Sequence, residues 1–354
     1  MKTIKEKQLD FDDVLIRPTN SELNKRSDVN ILYNYHINNC FMQMCPIMSA
    51  NMTQTGTFNV AESMIKNDCF ATLHKFYKAD DIINFMKDKK ITTAALFVTV
   101  GIRNSEDGIK KLQEIDKTGY SFSILVDVPN AYIPEVKKFI KKLRNIFPDK
   151  IIAAGNVCTY EGTLDLINCG ADIVKVGVGP SGVCDTRIKT GVGRSQLSAI
   201  LDCSYIAHIM GKYIIADGGF KNAGDICKAI VAGADICMSG SLFAGSDESN
   251  GDIITKYYRT DEYDIANEKP IVISKKYKEY YGMSSFRAQK ENYNKTTESG
   301  TSEGVECKLV PYTGPIINTI KDIKGGLRSC GTYINAKNIN DFNQALFFRV
   351  NRVK

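Results

Sequence analysis

Eight short apolar runs recur along the chain. They are residues 45–52 (CPIMSANM), 70–75 (FATLHK), 93–101 (TAALFVTVG), 123–130 (SILVDVPN), 151–157 (IIAAGNV), 172–179 (DIVKVGVG), 213–219 (YIIADGG) and 236–243 (ICMSGSLF). They lack the polar alternation of half-exposed strands, so they read as strands covered on both faces. Helical periodicity lies between them. Residues 131–147 place Ile133, Val136, Phe139, Ile140 and Leu143 on one face, with lysines opposite. Residues 105–116 begin at Ser105, a candidate N-cap. Residues 222–235 run to Gly233, a candidate C′ glycine. The echo of CGADIV (169–174) in AGADIC (232–237) marks two helix-to-strand joints. Strands alternating with helices predict an α/β chain closed as a (β/α)8 TIM barrel. An open doubly wound sheet is the alternative, and the even spacing of eight units favours closure.

Two regions fall outside this pattern. Residues 1–44 precede the first run. Residues 284–312 are rich in Ser, Thr, Asn and Glu and follow the eighth, so they read as a mobile flap over the C-terminal face of the barrel. No linker marks a second unit, and residues 1–354 are expected to form one barrel domain.

Composition narrows the class. The chain has 354 residues, 43% hydrophobic and 24% charged, which suits a soluble enzyme with one large core. No run approaches the length of a membrane span. The opening MKTIKEKQLDFDDVL has no apolar signal core, so a cytoplasmic protein is expected. The net charge of +6 is spread without a dense basic block, which implies no nucleic acid and mildly suits an anionic small substrate. Eleven cysteines without a CxxC pair, and only three histidines, suggest neither a zinc site nor a disulfide framework. Most of these cysteines read as small buried hydrophobes.

Cys184 is different. It sits in KVGVGPSGVCDTRIKTGVG (175–193), on a glycine-rich loop leaving the sixth predicted strand. Active sites of parallel barrels lie at this end of the strands. Thr186, Arg187 and Lys189 follow the thiol, and basic neighbours favour the nucleophilic thiolate. ADGGF (216–220) and MSGSLF (238–243) leave the seventh and eighth strands, where barrels commonly hold phosphate on backbone N–H groups and a helix N-terminus.

Together GVGPSGVCDTRIKTGVG, ADGGF, YYGMSS (280–285), SEG (302–304), GGLRSCGTY (325–333) and LDFDDVLIRP (9–18) resemble the IMP dehydrogenase/GMP reductase family, in the same order over nearly the whole chain. The resemblance implies a (β/α)8 barrel in which a cysteine attacks C2 of a purine nucleotide. It is nearer the reductase branch, which converts GMP to IMP and ammonia with NADPH. The flap segment 286–301 lacks the Arg-Tyr pair that dehydrogenases use to activate water, and the length leaves no room for an inserted regulatory domain. By the same resemblance Cys184 is the nucleophile, Thr186 and Glu303 protonate the departing ammonia, and Lys75 and Asp127 form a second polar pair near the nicotinamide. Asp217 holds the ribose. Gly218, Gly219, Gly240, Ser241 and Tyr281 surround the 5′-phosphate, with Ser181 or Gly182 contributing. Met283, Ser284 and Gly304 touch the purine. Asp127 and Asn130 meet the cofactor, and Ser329 and Tyr333 reach the cofactor of a neighbouring subunit, which implies a homotetramer. Backbone carbonyls of Gly179, Ser181 and Cys184 imply a potassium site.

The chain also departs from the family pattern. The order Ser181-Gly182 is reversed from the usual Gly-Ser, which moves the phosphate-facing hydroxyl by one place. Asp185 replaces a threonine and adds negative charge beside the thiol. Thr53 replaces an aspartate, and Gly300 stands where reductases carry a base-contacting arginine. Two other readings stay open: an IMP dehydrogenase lacking regulatory modules, which would oxidise IMP to XMP with NAD, and a non-catalytic purine nucleotide-binding regulator.

Overall fold

The computed structural model describes residues 7–264, 269–293 and 302–350. Gly300, and the part of the expected flap at 294–301, lie outside the described residues.

All eight apolar runs form parallel strands: Cys40–Ser49, Cys69–Leu73, Leu96–Val100, Ser123–Asp127, Ile152–Val157, Ile173–Val176, Tyr213–Asp217 and Ile236–Ser239. Each pairs with the next. The eighth closes on the first through Cys237 with Ile47, Met238 with Met48 and Ser239 with Ser49. The result is a closed (β/α)8 barrel. Alternate residues of a strand serve two cores. In the second strand Cys69, Ala71 and Leu73 pack outward against helices, whereas Phe70 joins Phe97, Leu125, Ile173, Ile215 and Met238 inside. Burying each such large side chain contributes about 1.5–3 kcal/mol.

The region before the first run is not featureless. Tyr33–Ile37 pairs antiparallel with the start of the first barrel strand and makes a hairpin. Its Tyr35, Ile37 and Met42 join the inner cluster. The Tyr35 hydroxyl donates to the Asp235 carbonyl at 2.6 Å, so the hairpin plugs the N-terminal mouth.

The helix Pro134–Ile146 buries Val136, Phe139, Ile140 and Leu143 as its periodicity predicts. The N-cap expected at Ser105 falls one residue earlier. Asn104 has the non-helical backbone (φ −117°, ψ 57°) and Ser105 is the first helical residue. The helix Ala223–Val231 ends at Ala232, with Gly233 following at φ 103°. The sequence echo has a structural meaning. Asp172 accepts the Ile152 N–H at 3.0 Å and Asp235 accepts the Ile214 N–H at 2.7 Å, each tying a strand to the start of its neighbour.

After the eighth strand the chain does not enter a helix directly. Ile253–Asp264 and Lys269–Tyr280 form a long antiparallel hairpin, and Lys308–Pro311 adds a third strand. The expected flap is therefore rooted in regular structure, the helix Phe286–Tyr293 on one side and this strand on the other. The helix Ile316–Tyr333 then packs against Ala223–Val231 on the outside of the barrel. No described helix is long and apolar enough to cross a membrane.

Candidate active site

A charged triad occupies the C-terminal mouth. Lys175 points inward from the sixth strand, and its side chain is only 3% exposed. Its Nζ lies 2.8 Å from Asp127 Oδ1 on the fourth strand and 2.8 Å from Asp217 Oδ2 on the seventh. Burial alone would lower the Lys175 pKa, but the two carboxylates outweigh it and raise it above the ordinary lysine value. Burial likewise opposes ionisation of Asp127. Lys175 first, and then Lys75, overcome this and hold Asp127 below its usual value. Asn156 Nδ2 donates to Asp217 Oδ2 at 2.9 Å, and Asn51 lines the cavity beside Asp127. Asp127 thus takes its direct ion partner from Lys175. The expected partner, Lys75, acts on it from further off.

The loop after the sixth strand carries the thiol across this platform. Cys184 Sγ lies 3.2 Å from Thr186 Oγ1, which donates to Glu303 Oε2 at 2.9 Å. Glu303 comes from far along the chain, and backbone pairing delivers it. The Asp185 N–H donates to the Glu303 carbonyl at 2.7 Å, and the Val305 N–H donates to the Val183 carbonyl at 3.1 Å. Arg187 does not serve the thiol as its sequence position suggests. Its Nε donates to the Val178 carbonyl at 3.3 Å, and its NH2 to that of Arg194, so it holds the loop from beneath.

These groups face a cavity of ≈ 210 Å³. The predicted Lys75, Asp127, Cys184, Thr186, Asp217 and Glu303 line it, as do Gly179 and Ser181. The glycine turns supply Gly218, Gly219, Gly240 and Ser241, and the flap root supplies Met283, Ser284 and Gly304. Asp185 does not line it, so its added charge is directed elsewhere. A larger surface cleft of ≈ 610 Å³ near Ser27–Leu32 gathers no such chemistry.

Five candidates lie outside this lining: Gly182, Tyr281, Asn130, Ser329 and Tyr333. Tyr281 turns to the flap root, donating to Glu291 Oε2 at 2.6 Å beneath the Arg287 guanidinium. Its neighbour Tyr280 is the tyrosine of the cavity. A Cβ on Gly240 would sit 2.1 Å from the Tyr280 hydroxyl, so only glycine admits this approach. Asn130 accepts the Tyr132 N–H at 3.0 Å just beyond the fourth strand. Ser329 and Tyr333 lie on the helix Ile316–Tyr333, where Tyr333 is 66% exposed. The second phosphate loop has no helix directly behind it. The hairpin from Ile253 intervenes, so no helix N-terminus backs an anion there. Sequence reasoning missed Lys175, Asn51, Asn156 and Tyr280. For Lys175 a signal existed, a lysine inside an otherwise apolar strand.

A closed parallel barrel with a thiol, a hydroxyl and a carboxylate joined across its C-terminal mouth has the architecture of a barrel enzyme. A sequence profile for the IMP dehydrogenase / GMP reductase domain matches residues 8–353, and the chain belongs to that family. It is similar to a GMP reductase of Buchnera aphidicola subsp. Schizaphis graminum, 40% identical over 96% of this chain and 93% of that protein. It is also similar to GMP reductases of Photobacterium profundum, 38% identical over 99% of this chain and 97% of that one, and of Caenorhabditis elegans, 39% identical over 98% and 92%.

Proposed function

We propose that this chain is a GMP reductase, catalysing the NADPH-dependent reductive deamination of GMP to IMP and ammonia. The observation that carries the reading is the hydrogen-bonded line Cys184–Thr186–Glu303, facing a cavity whose far wall holds Asp217 and the glycine turns.

The chemistry follows from the positions. Asp217, fixed by Lys175 and Asn156, accepts from the ribose hydroxyls. Gly219, Gly240 and Ser241 present backbone N–H groups to the 5′-phosphate, that of Gly218 being donated to the Met238 carbonyl at 3.0 Å, and Met283, Ser284 and Gly304 border the base. The Cys184 sulfur adds to C2 of guanine. The C2–N bond breaks as the amino group leaves with a proton passed along Glu303 and Thr186. This leaves a thioimidate on the sulfur. NADPH, when bound, supplies the hydride that C2 then accepts. The C–S bond breaks, IMP carries the new C2–H, and the thiolate is restored.

Lys75 and Asp127 fit a cofactor, since both line the cavity wall beyond the thiol, and Asn130 lies at the exit of the same loop. Ser329 and Tyr333, remote from their own cavity, suit contact with the cofactor of a neighbouring subunit in a homotetramer. Potassium would be held by the carbonyls of Gly179, Ser181 and Cys184. Those of Gly179 and Cys184 accept no hydrogen bond among the described residues, while that of Ser181 takes the Cys184 N–H at 3.0 Å. A cytoplasmic location suits the reading.

The test pairs two assays. With GMP and NADPH, the reduced-nicotinamide absorbance falls and IMP and ammonia appear. With IMP and NAD no XMP forms. Cys184→Ala abolishes turnover and keeps nucleotide binding; equal activity in that variant overturns the mechanism.

A further inference from the structure

The cavity is short of positive charge at one end. Its lining holds two lysines. Lys175 is locked between Asp127 and Asp217, and Lys75 stands on the Asp127 side. The turns at Gly218–Gly219 and Gly240–Ser241 bring no lysine or arginine into the lining. A phosphate monoester carries nearly two negative charges at neutral pH, and a charge-assisted hydrogen bond to it is about twice as strong as a neutral one.

One cation approaches that end from the side. Lys308 is paired directly opposite Tyr280 in the antiparallel sheet. Residues directly opposed send their side chains to the same face. Tyr280 goes to the cavity, where its hydroxyl meets Gly240 and donates to Met52 Sδ at 2.9 Å. Lys308 follows it. Its Nζ lies 2.8 Å from the point a Cβ on Gly182 would take. Gly182 sits between Ser181 and Val183, both in the lining. The ammonium therefore fills the space that a side chain at 182 would need. It makes no ion pair or hydrogen bond among the described residues.

We propose that Lys308 is a phosphate-binding residue of the nucleotide site, its ammonium held beside the glycine turns to take the 5′-phosphate monoester. The inference rests on the GMP reading of the cavity and deepens it. Gly182 is the partner that makes room, which gives the Ser181-Gly182 order a physical reason.

The test is calorimetric titration of wild type, Lys308→Gln and Lys308→Arg with GMP and with guanosine, which lacks the phosphate. In Lys308→Gln, GMP binds about tenfold more weakly, the loss of about 1.4 kcal/mol, while guanosine binding is unchanged. Lys308→Arg keeps most of the GMP affinity. Raised salt narrows the preference for GMP over guanosine more in wild type than in Lys308→Gln. Gly182→Ser weakens GMP binding alone, but adds little in the Lys308→Gln background, where the displaced ammonium is already gone. An unchanged GMP-to-guanosine ratio in Lys308→Gln overturns the proposal. So does loss of guanosine binding together with GMP binding, which marks a structural role, and so does a wild type with no preference for the phosphate. Failure of the catalytic reading shows separately, as a wild type that binds GMP and releases no ammonia.

Discussion

Replacing Lys175 by methionine keeps an unbranched stem and deletes the charge that stands between two carboxylates. In the native site its Nζ is 2.8 Å from each of Asp127 and Asp217. Removing one partner of a buried ion pair costs about 3–5 kcal/mol. Each aspartate side chain remains 22% exposed, so water relieves part of this and the lower end, about 3 kcal/mol, applies. An unfolding entropy of about 2.1 cal/mol/K per residue converts that to a fall in Tm of about 4 °C for this chain. The pH dependence has a definite sign. In the native protein Asp127 titrates below its ordinary value, so its contribution is present above the unfolded carboxylate pKa and is lost as pH falls through the lower folded value. In Lys175→Met the two carboxylates face each other without a cation. One of them then binds a proton more tightly folded than unfolded, so the penalty is full at neutral pH and shrinks as pH falls toward the carboxylate range. Thermal unfolding at pH 8 and pH 5 reads both effects. A shift in Tm that is equal at the two pH values, or absent at pH 8, refutes the triad as the element that fixes Asp217.

Thr186→Val conserves volume and cuts the line from Cys184 to Glu303; kcat for ammonia release falls about 10²–10⁴-fold with KM little changed, and an undiminished kcat removes Thr186 from the proton path. His74, stacked on Tyr77 at 3.9 Å, has its pKa pushed down to about 4 by burial. The unfolded chain takes up that proton first as pH falls below about 6.5, so native stability drops between there and pH 4 by about 3 kcal/mol. His74→Phe flattens this limb in a Tm-against-pH series, and an unaltered slope assigns the acid sensitivity elsewhere.

The barrel was legible because parallel strands buried on both faces leave continuous apolar runs, and the Pro134–Ile146 helix because its apolar face has an unbroken period. The hairpin Ile253–Tyr280 was not. Its strands are rich in Lys and Tyr and mostly exposed, with burial confined to Lys278 and Tyr280 near its end, so no binary pattern betrays them. The plug hairpin escaped for a related reason. YNYHI carries too few apolar residues to reveal that Tyr33, Tyr35 and Ile37 turn inward. At the site, the glycine-dense loop marked Cys184, but choosing between Tyr280 and Tyr281 needed tertiary knowledge. Adjacent strand residues face opposite ways, and the direction is settled only once Tyr280 is paired with Lys308. Lys175 was visible as a lysine among valines, since a buried charge must be partnered. That its partners would be Asp127 and Asp217 depends on barrel closure.

The two ends of the same strands use their charges differently, and this bears on how the thiol is armed. At the N-terminal end Asp172 and Asp235 accept backbone N–H groups and fix strand starts. At the C-terminal end the cation points inward, and Asp127 and Asp217 are held by Lys175 without engaging the Cys184 thiol. Cys184 itself rides on a loop, where a side chain has more freedom than on a strand. Its alignment comes from the far segment. Glu303 accepts the Asp185 N–H through its carbonyl and the Thr186 hydroxyl through its side chain, while Val305 pairs with Val183. The proposed nucleophile and proton donor are thus registered by one short ladder. A change that breaks the pairing of residues 303–305 with 183–185 disorganises both at once, whereas a change confined to the Glu303 carboxylate removes the proposed acid and leaves the thiol in place.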